Sequence, residues 1–335
     1  MKSAPKRILI IQTAFIGDVI LATSLIEFFK GVFEEATIDF LLRKSNASIL
    51  KNDPRIDKLI EWDKKQSKIK GLSGIIRQIR KEQYDYVINT HRFASSGLMT
   101  VFSGATTTIG YDKNPLSFLF SKKVKHEIGD GRHEVDRLLE LVEDISPVKY
   151  KPRLSIPTKA IEKVKQYNNA PYLVIAPNSV WFTKQFPMEK WVEFIDQTAF
   201  EGNIYLIGAP SERDAAQKII DACSRESVFN LCGDLSLLES AALMQNAIMN
   251  YTNDSGPMHL CSAVNAPVRA IYCSTVPDFG FGPLSDDSAI VQTHENLSCR
   301  PCGLHGHKAC PEGHFKCGYS IDWRQLEIKH GSSPN

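Results

Sequence analysis

The sequence predicts an α/β protein made of two doubly wound, Rossmann-like domains facing a cleft. Three observations predict it. Short apolar runs alternate with segments of helical period along most of the chain, which implies parallel sheets covered by helices on both faces. A stretch rich in proline and lysine, residues 143–170 with Pro147, Pro152 and Pro157, interrupts the alternation, which then restarts. The 335 residues are enough for two domains of ordinary size, here 1–155 and 156–335.

In the first half, the Ile-Leu-Ile-Ile run marks Arg7–Gln12 as a buried strand. Thr13–Gly17 reads as a loop and Asp18–Lys30 as a helix. Strands follow at Thr37–Leu42 and Ile56–Trp62, and an amphipathic helix at Ser67–Glu82. Tyr84–Asn89 is a strand, a helix runs from Ala94 to Phe102, Thr107–Tyr111 is a short strand, and the helix His133–Val142 closes this half. Residues 143–170 have the composition of a linker. In the second half the strands are Tyr172–Ala176, Asn203–Ile207, Val228–Asn230, Ala247–Thr252 and Val268–Tyr272. The helices between them are Met188–Phe200, Ser211–Ser224, Leu237–Gln245 and Met258–Val264. Ligands of such folds bind at the carboxyl ends of the strands.

The apolar fraction of 43% and charged fraction of 23% are those of a soluble globular protein. A formal net charge of +2 argues against a nucleic-acid partner. Lysines nevertheless cluster at Lys64, Lys65, Lys68 and Lys70, and again at Lys122, Lys123 and Lys125. Such clusters suit solvated faces, or contact with an anionic membrane surface or an acidic substrate. Lys2, Lys6 and Arg7 ahead of an apolar run imitate a signal peptide, but Gln12, Thr13 and Asp18 break that run. No stretch has the roughly 18–20 uninterrupted apolar residues of a membrane span. The expectation is a cytoplasmic protein, peripheral to the inner membrane at most. All eight cysteines lie beyond residue 220, and Cys223, Cys232, Cys261 and Cys273 are expected to be reduced and partly buried.

The stretch most suited to binding is Thr252-Asn253-Asp254-Ser255-Gly256-Pro257, between an apolar run and a helix. Pro257 suits the first helical position, and Asp254 or Ser255 can cap the helix. Free backbone N–H groups and the positive end of the helix dipole then make a seat for phosphate, to which His259 can add a donor. The same residues also suit a capped helix without a ligand. Gly17-Asp18 has the same ambiguity: Asp18 caps its helix, or it faces the cleft as a base. A carboxylate at a helix N-terminus is expected to stay ionised, a weak base that takes a proton late. Pro177–Lys184 offers the hydroxyls of Ser179 and Thr183 and the cation of Lys184. A fixed ammonium stabilises a departing diphosphate selectively in the transition state. Arg92 and Ser95, in His91–Ser96, are candidates for an anionic acceptor, as are His133 and Arg137 one helical turn apart. Gly208 and Glu212 read as a turn and Met244 as core, each near enough in pattern to a nucleotide base to be noted. Asp-x-Asp is absent, so no divalent metal is expected on a diphosphate, and no catalytic cofactor.

At this point a resemblance becomes specific. Asn253–Leu260 resembles the sugar-nucleotide signature of glycosyltransferase family 9, the bacterial heptosyltransferases of the lipopolysaccharide inner core. Ile8–Lys30, His133–Arg137, Ala176–Trp191 and Cys299–Cys317 match in order, and the tail is similar to that of the second heptosyltransferase type. The resemblance implies the two-domain GT-B architecture and an inverting transfer with Asp18 as base. It implies an ADP-sugar bound by Ser179, Thr183, Lys184, Asp254, Ser255, Gly256 and His259. It also implies a phosphorylated lipid-sugar acceptor, a lipopolysaccharide core or lipid A-linked intermediate, near Arg92 and Ser95. Val180-Trp181-Phe182 departs from the small residues the family usually has before its Thr-Lys. Cys299-x2-Cys302-x7-Cys310-x6-Cys317, with His305, His307 and His314 nearby, suits structural zinc, disulfides or reduced thiols. Two other readings compete: a nucleotide-sugar epimerase of similar architecture, and a non-catalytic nucleotide-sugar binder.

Overall fold

The computed structural model describes residues 5–64 and 68–328. Of the first lysine cluster, Lys65 and the side chains of Lys68 and Lys70 lie outside the described residues. The chain divides into two compact units, Met1–Ser155 and Ile156–Asn335.

In the first unit the order is β1 (Arg7–Ile11), α1 (Ile16–Val32), β2 (Thr37–Arg43), β3 (Lys58–Trp62), α2 (Lys68–Glu82), β4 (Tyr86–Asn89), α3 (Ala94–Val101), β5 (Thr107–Tyr111), β6 (Lys122–Val124) and α4 (Glu134–Glu140). The sheet order is β3-β2-β1-β4-β5-β6, with every pairing parallel. The strand order reverses between β1 and β4, where Ile11 sits opposite Asn89. Such a switch point leaves a crevice at the carboxyl ends of the two strands, because their following connections leave in opposite directions. Helix α1 is buried from Val19 to Ile26 and again at Phe28 and Phe29. Its near-continuous apolar sequence therefore marks a helix packed on several sides.

The second unit repeats the plan. It comprises α5 (Thr158–Val164), β7 (Tyr172–Ala176), α6 (Met188–Gln197), β8 (Asn203–Leu206), α7 (Arg213–Ala222), β9 (Val228–Asn230), α8 (Leu237–Gln245), β10 (Met249–Asn253), α9 (Gly256–Val264), β11 (Val268–Tyr272), β12 (Ser288–Gln292) and α10 (Lys316–Tyr319). Its all-parallel sheet runs β12-β11-β10-β7-β8-β9, and the switch lies between β7 and β10, with Ala176 opposite Thr252. Strand β7 is buried at every residue, as expected of a central parallel strand.

The structure differs from the sequence reading in four places. Helix α1 begins at Ile16, so Gly17 and Asp18 lie inside its first turn. The sheets each gain an edge strand: β6, three residues with two lysines, and β12, two of whose five residues are exposed. Edge strands lack the apolar run that betrays a central one. The stretch taken as a linker contains α5, which docks on α8 through its buried Ala160 and Val164. Two apolar residues one turn apart are enough for docking and too few to show as a period. The tail is also part of the core, since Phe315, Cys317, Ile321, Trp323 and Leu326 join the cluster of Leu173, Trp191, Phe194 and Tyr251.

Trp323 is 5% exposed and its ring lies 6.5 Å from that of Phe194. Trp323→Ala is expected to destabilise the second unit by about 3–5 kcal/mol through lost burial and the cavity left behind. Calorimetric melting of the full chain reads this as a lowered transition; an unmoved transition would mean the tail adds nothing to the core.

Candidate active site

At the switch point of the second unit, the buried Asn253 ends β10 and ties two loops together. Its Nδ2 donates to the carbonyl of Pro177 at 2.8 Å, and its Oδ1 accepts the N–H of Phe186 at 2.9 Å. The segment between them, which carries Ser179, Thr183 and Lys184, is thus pinned at both ends. Lys184 Nζ lies 2.6 Å from Asp254 Oδ2 and donates to the Asp254 carbonyl at 3.2 Å. The same carboxylate oxygen accepts the Thr275 hydroxyl at 2.7 Å.

These contacts correct several expectations. Asp254 does not cap α9, because its carboxylate is engaged by Lys184 and Thr275. Ser255 occupies the cap position, but its hydroxyl donates to the Asn253 carbonyl at 3.3 Å rather than accepting from the helix. The first N–H groups of α9, starting at Gly256, therefore keep the phosphate-seeking character of a helix start, with Pro257 in the first turn. Thr183 is 1% exposed, and its hydroxyl accepts the His307 N–H at 2.8 Å and the Ser274 hydroxyl at 3.1 Å. It shapes the site from beneath rather than facing a ligand. Ser179 is partly buried, and its carbonyl accepts Gln185 Nε2 at 2.7 Å. His259 is buried, with the Phe281 ring edge-on to it at 6.4 Å. Glu212 accepts the Ala209 N–H at 2.7 Å, which makes 208–212 a capped turn, and Met244 is core.

The first unit holds its own cluster at the β1/β4 switch. The Thr13 hydroxyl and His91 Nδ1 are 2.9 Å apart, joining the two loops that leave β1 and β4. Asn114 Nδ2 donates to the carbonyls of His91 and Phe93, 3.0 Å each, and fixes the second loop. Asp18, partly buried, accepts the Phe15 N–H at 3.1 Å and so closes the start of α1. Its capping role is real, but its acidity runs opposite to expectation. Burial pushes its pKa up, against the lowering pull of the Phe15 and Asp18 N–H groups and of Arg43 and Arg92. Asp18 is accordingly a stronger base than an exposed helix cap.

Arg92 is exposed and makes no hydrogen bond or ion pair among the described residues, while Ser95 lies partly buried in the first turn of α3. Two further cations stand here: Arg43, which escaped the sequence reading, and Lys64, the first of the lysine cluster noted there. Arg43 ends β2 and Lys64 follows β3, where its ammonium lies 4.5 Å from the centre of the Trp62 ring. Burial, with Arg43 adding repulsion, lowers the Lys64 pKa to about 8. Burial, helped by Lys64, Arg43 and Arg92, lowers His91 to about 4, so this imidazole is neutral at physiological pH. The signal that could have found Arg43 was a basic residue at the carboxyl end of a parallel strand.

His133 and Arg137 do not face an acceptor. His133 Nδ1 accepts the Val135 N–H at 3.0 Å as the cap of α4. Arg137 is fully buried, with Nε donating to Glu134 Oε2 at 2.9 Å. The residue between them is the unexpected one: burial raises Glu134 to about 7, with the charge of Asp18 adding to the rise and Arg137 and Arg92 opposing it. Two carboxylates, Asp18 and Glu134, thus sense each other beside Arg92.

All eight cysteines are free thiols. Burial raises Cys317 to about 11, with further lifts from Cys310, Cys299 and Cys302, so the four tail thiols share one neighbourhood. Among the described residues, however, no three His, Cys, Asp or Glu side chains are gathered as ligands of one ion. No described helix is long and apolar enough to cross a membrane.

Two Rossmann-like units, one with an ammonium and a helix start at its switch point and the other with a partly buried carboxylate among cations, suit an enzyme that handles a phosphorylated substrate. The pattern of glycosyltransferase family 9 (heptosyltransferase) matches residues 73–313, and the chain belongs to that family; it is a glycosyltransferase. Lipopolysaccharide heptosyltransferase 3 of Escherichia coli (strain K12) is 26% identical over 275 residues, 77% of this chain and 80% of its own. The solved structure of a family 9 glycosyltransferase from Veillonella parvula has a TM-score of 0.78 at 22% identity and covers 85% of each chain. That of E. coli ADP-heptose lipopolysaccharide heptosyltransferase II has a TM-score of 0.73 at 20% identity, covering 88% of this chain and 95% of that one. The shared fold is GT-B.

The carboxylate pair has a pH signature. Glu134 is raised from 4.5 to about 7, so the folded state holds a proton that the unfolded chain has lost. Glu134 therefore favours folding most at low pH, and that contribution falls as pH rises through the interval up to about 7. Glu134→Gln is expected to flatten this slope in urea melts at several pH values. An unchanged slope would mean that Glu134 is ionised in the folded state, simply the partner of Arg137.

Proposed function

We propose that this glycosyltransferase transfers a heptose from ADP-heptose to a hydroxyl of a lipopolysaccharide core acceptor, with inversion at the anomeric carbon. The observation that carries the reading is the Lys184–Asp254 pair beside the start of α9, 2.6 Å apart at the switch point of a sheet whose family acts on activated sugars. Asp254 orients the ammonium, and Lys184 meets the diphosphate as negative charge builds on it. The N–H groups at the start of α9 add to this, so the reading assigns no resident metal to the diphosphate.

Asp18 accepts the proton of the attacking hydroxyl. The new bond joins the acceptor oxygen to the anomeric carbon, and the bond from that carbon to the diphosphate oxygen breaks on the opposite face. The raised pKa of Asp18 supports this role, because a stronger base takes the proton more readily. Arg92, Arg43 and Lys64 suit an acceptor bearing phosphate or carboxylate. Phe15 and Phe93, the exposed caps of α1 and α3, suit its lipid-linked portion, and we place the enzyme at the cytoplasmic face of the inner membrane.

Calorimetric titration of ADP, UDP and GDP, with and without magnesium, into wild type and Lys184→Ala tests the donor half. Expected are a preference for ADP, no need for magnesium, and a loss of about tenfold or more in the variant. Preference for another nucleotide would discard the heptose donor. For the acceptor half, Asp18→Ala is expected to lower kcat about 10²–10⁴-fold while ADP affinity holds. Turnover surviving at the wild-type rate would leave Asp18 only a helix cap.

A further inference from the structure

The cysteine-rich tail has no part in the reaction just described, yet it touches the donor site at several points. The Gly306-His307 backbone lies against the Thr183-Lys184 turn. Thr183 N–H donates to the His307 carbonyl at 3.1 Å, and His307 N–H donates to the Thr183 hydroxyl at 2.8 Å. Cys302 N–H donates to the Ser274 carbonyl at 2.8 Å, and Ser274 N–H to the Thr183 carbonyl at 3.2 Å. Arg300 holds the end of β11. Its guanidinium donates to the carbonyls of Cys273 at 2.7 Å, Thr275 at 2.8 Å and Tyr272 at 3.2 Å, and to Gln292 Oε1 at 2.7 Å. Thr275 in turn holds Asp254, and Asp254 holds Lys184.

The closeness of approach depends on Gly306. Its φ of +76° suits glycine, and a Cβ there would stand 2.8 Å from Thr183 Oγ1, 3.2 Å from Ser274 Oγ and 3.3 Å from Lys184 Cγ. A bare backbone is therefore built in where the tail comes against the turn that presents the ammonium.

We propose that residues 299–307 are a positioning element of the donor site: the tail clamps the Thr183-Lys184 turn to the Ser274-Thr275 corner and thereby sets where the Lys184 ammonium stands. The proposal rests on the reading of Lys184 as the diphosphate-binding group. It gives the tail a function carried by backbone groups and one arginine, which is why its cysteine spacing does not disclose it.

The test uses the full chain and ADP as probe, with affinity and the kcat-against-KM split as readouts. Gly306→Ala is expected to weaken ADP binding about tenfold, as losing one hydrogen bond to a charged group does, and to lower kcat with the acceptor KM unmoved. In a Lys184→Ala background the same change is expected to have no further effect, because the tail acts through that lysine. Glu312→Ala, on an exposed tail residue beyond 299–307, is expected to match wild type. Should Gly306→Ala fail to fold, Thr183→Val, which loses the hydroxyl acceptor, is expected to weaken ADP, and Thr183→Ser to restore it. Wild-type ADP affinity in Gly306→Ala, or additive effects with Lys184→Ala, would overturn the proposal. Wild-type affinity in Lys184→Ala alone would instead overturn the donor-site reading beneath it.

Discussion

A nearly dry ammonium–carboxylate pair governs the second unit. With Lys184 14% and Asp254 9% exposed at their side chains, neither charge is well solvated, and each depends on the other. Breaking such a pair by removing one partner costs about 3–5 kcal/mol, because a charge is left buried alone. The surrounding contacts make sense as means of keeping the pair in register. Asn253 pins both ends of the Lys184 loop, and Thr275 occupies the other side of the Asp254 oxygen. A bound diphosphate then meets an ammonium already oriented, which costs no reorganisation as charge develops.

The first unit uses the same topology for the opposite chemistry. Its switch point gathers a carboxylate among cations, and burial works on both. Asp18 is moved toward basicity, while His91 is kept neutral by its burial, with the cations around it adding to the effect. Glu134, raised to about 7, extends this logic one helix further. The hydrogen bond from Thr13 to His91 couples the loops of β1 and β4, so the site rests on the two central strands rather than on a flexible edge. Repeating one fold twice supplies two such crevices, and the loops decide what each one holds.

The tail shows how a structural segment becomes part of a site. Its distal half, Phe315 to Leu326, is core, and its proximal half runs across the donor-side loops. The buried half gives the proximal half something fixed to brace against.

Much of the fold was legible because parallel strands, buried on both faces, leave apolar runs that sequence shows directly. The helices between them carried their own period. What was missed lay where that signal is weakest: the edge strands β6 and β12, and α5 with its two buried residues. Of the site, the sequence by itself determined the residue types and their loops, Asp18, Arg92, Lys184 and Asp254, since strand–loop–helix order puts them at carboxyl ends. Only the tertiary structure decided their partners. Asp254 turned from a helix cap into the support of Lys184, Thr183 from a ligand contact into a buried strut, and Arg137 from a surface cation into the partner of Glu134. The physical reason is range: a helical or strand period is set within a few residues, whereas an ion pair or a desolvated carboxylate depends on residues tens of positions away that only folding brings within a few ångströms.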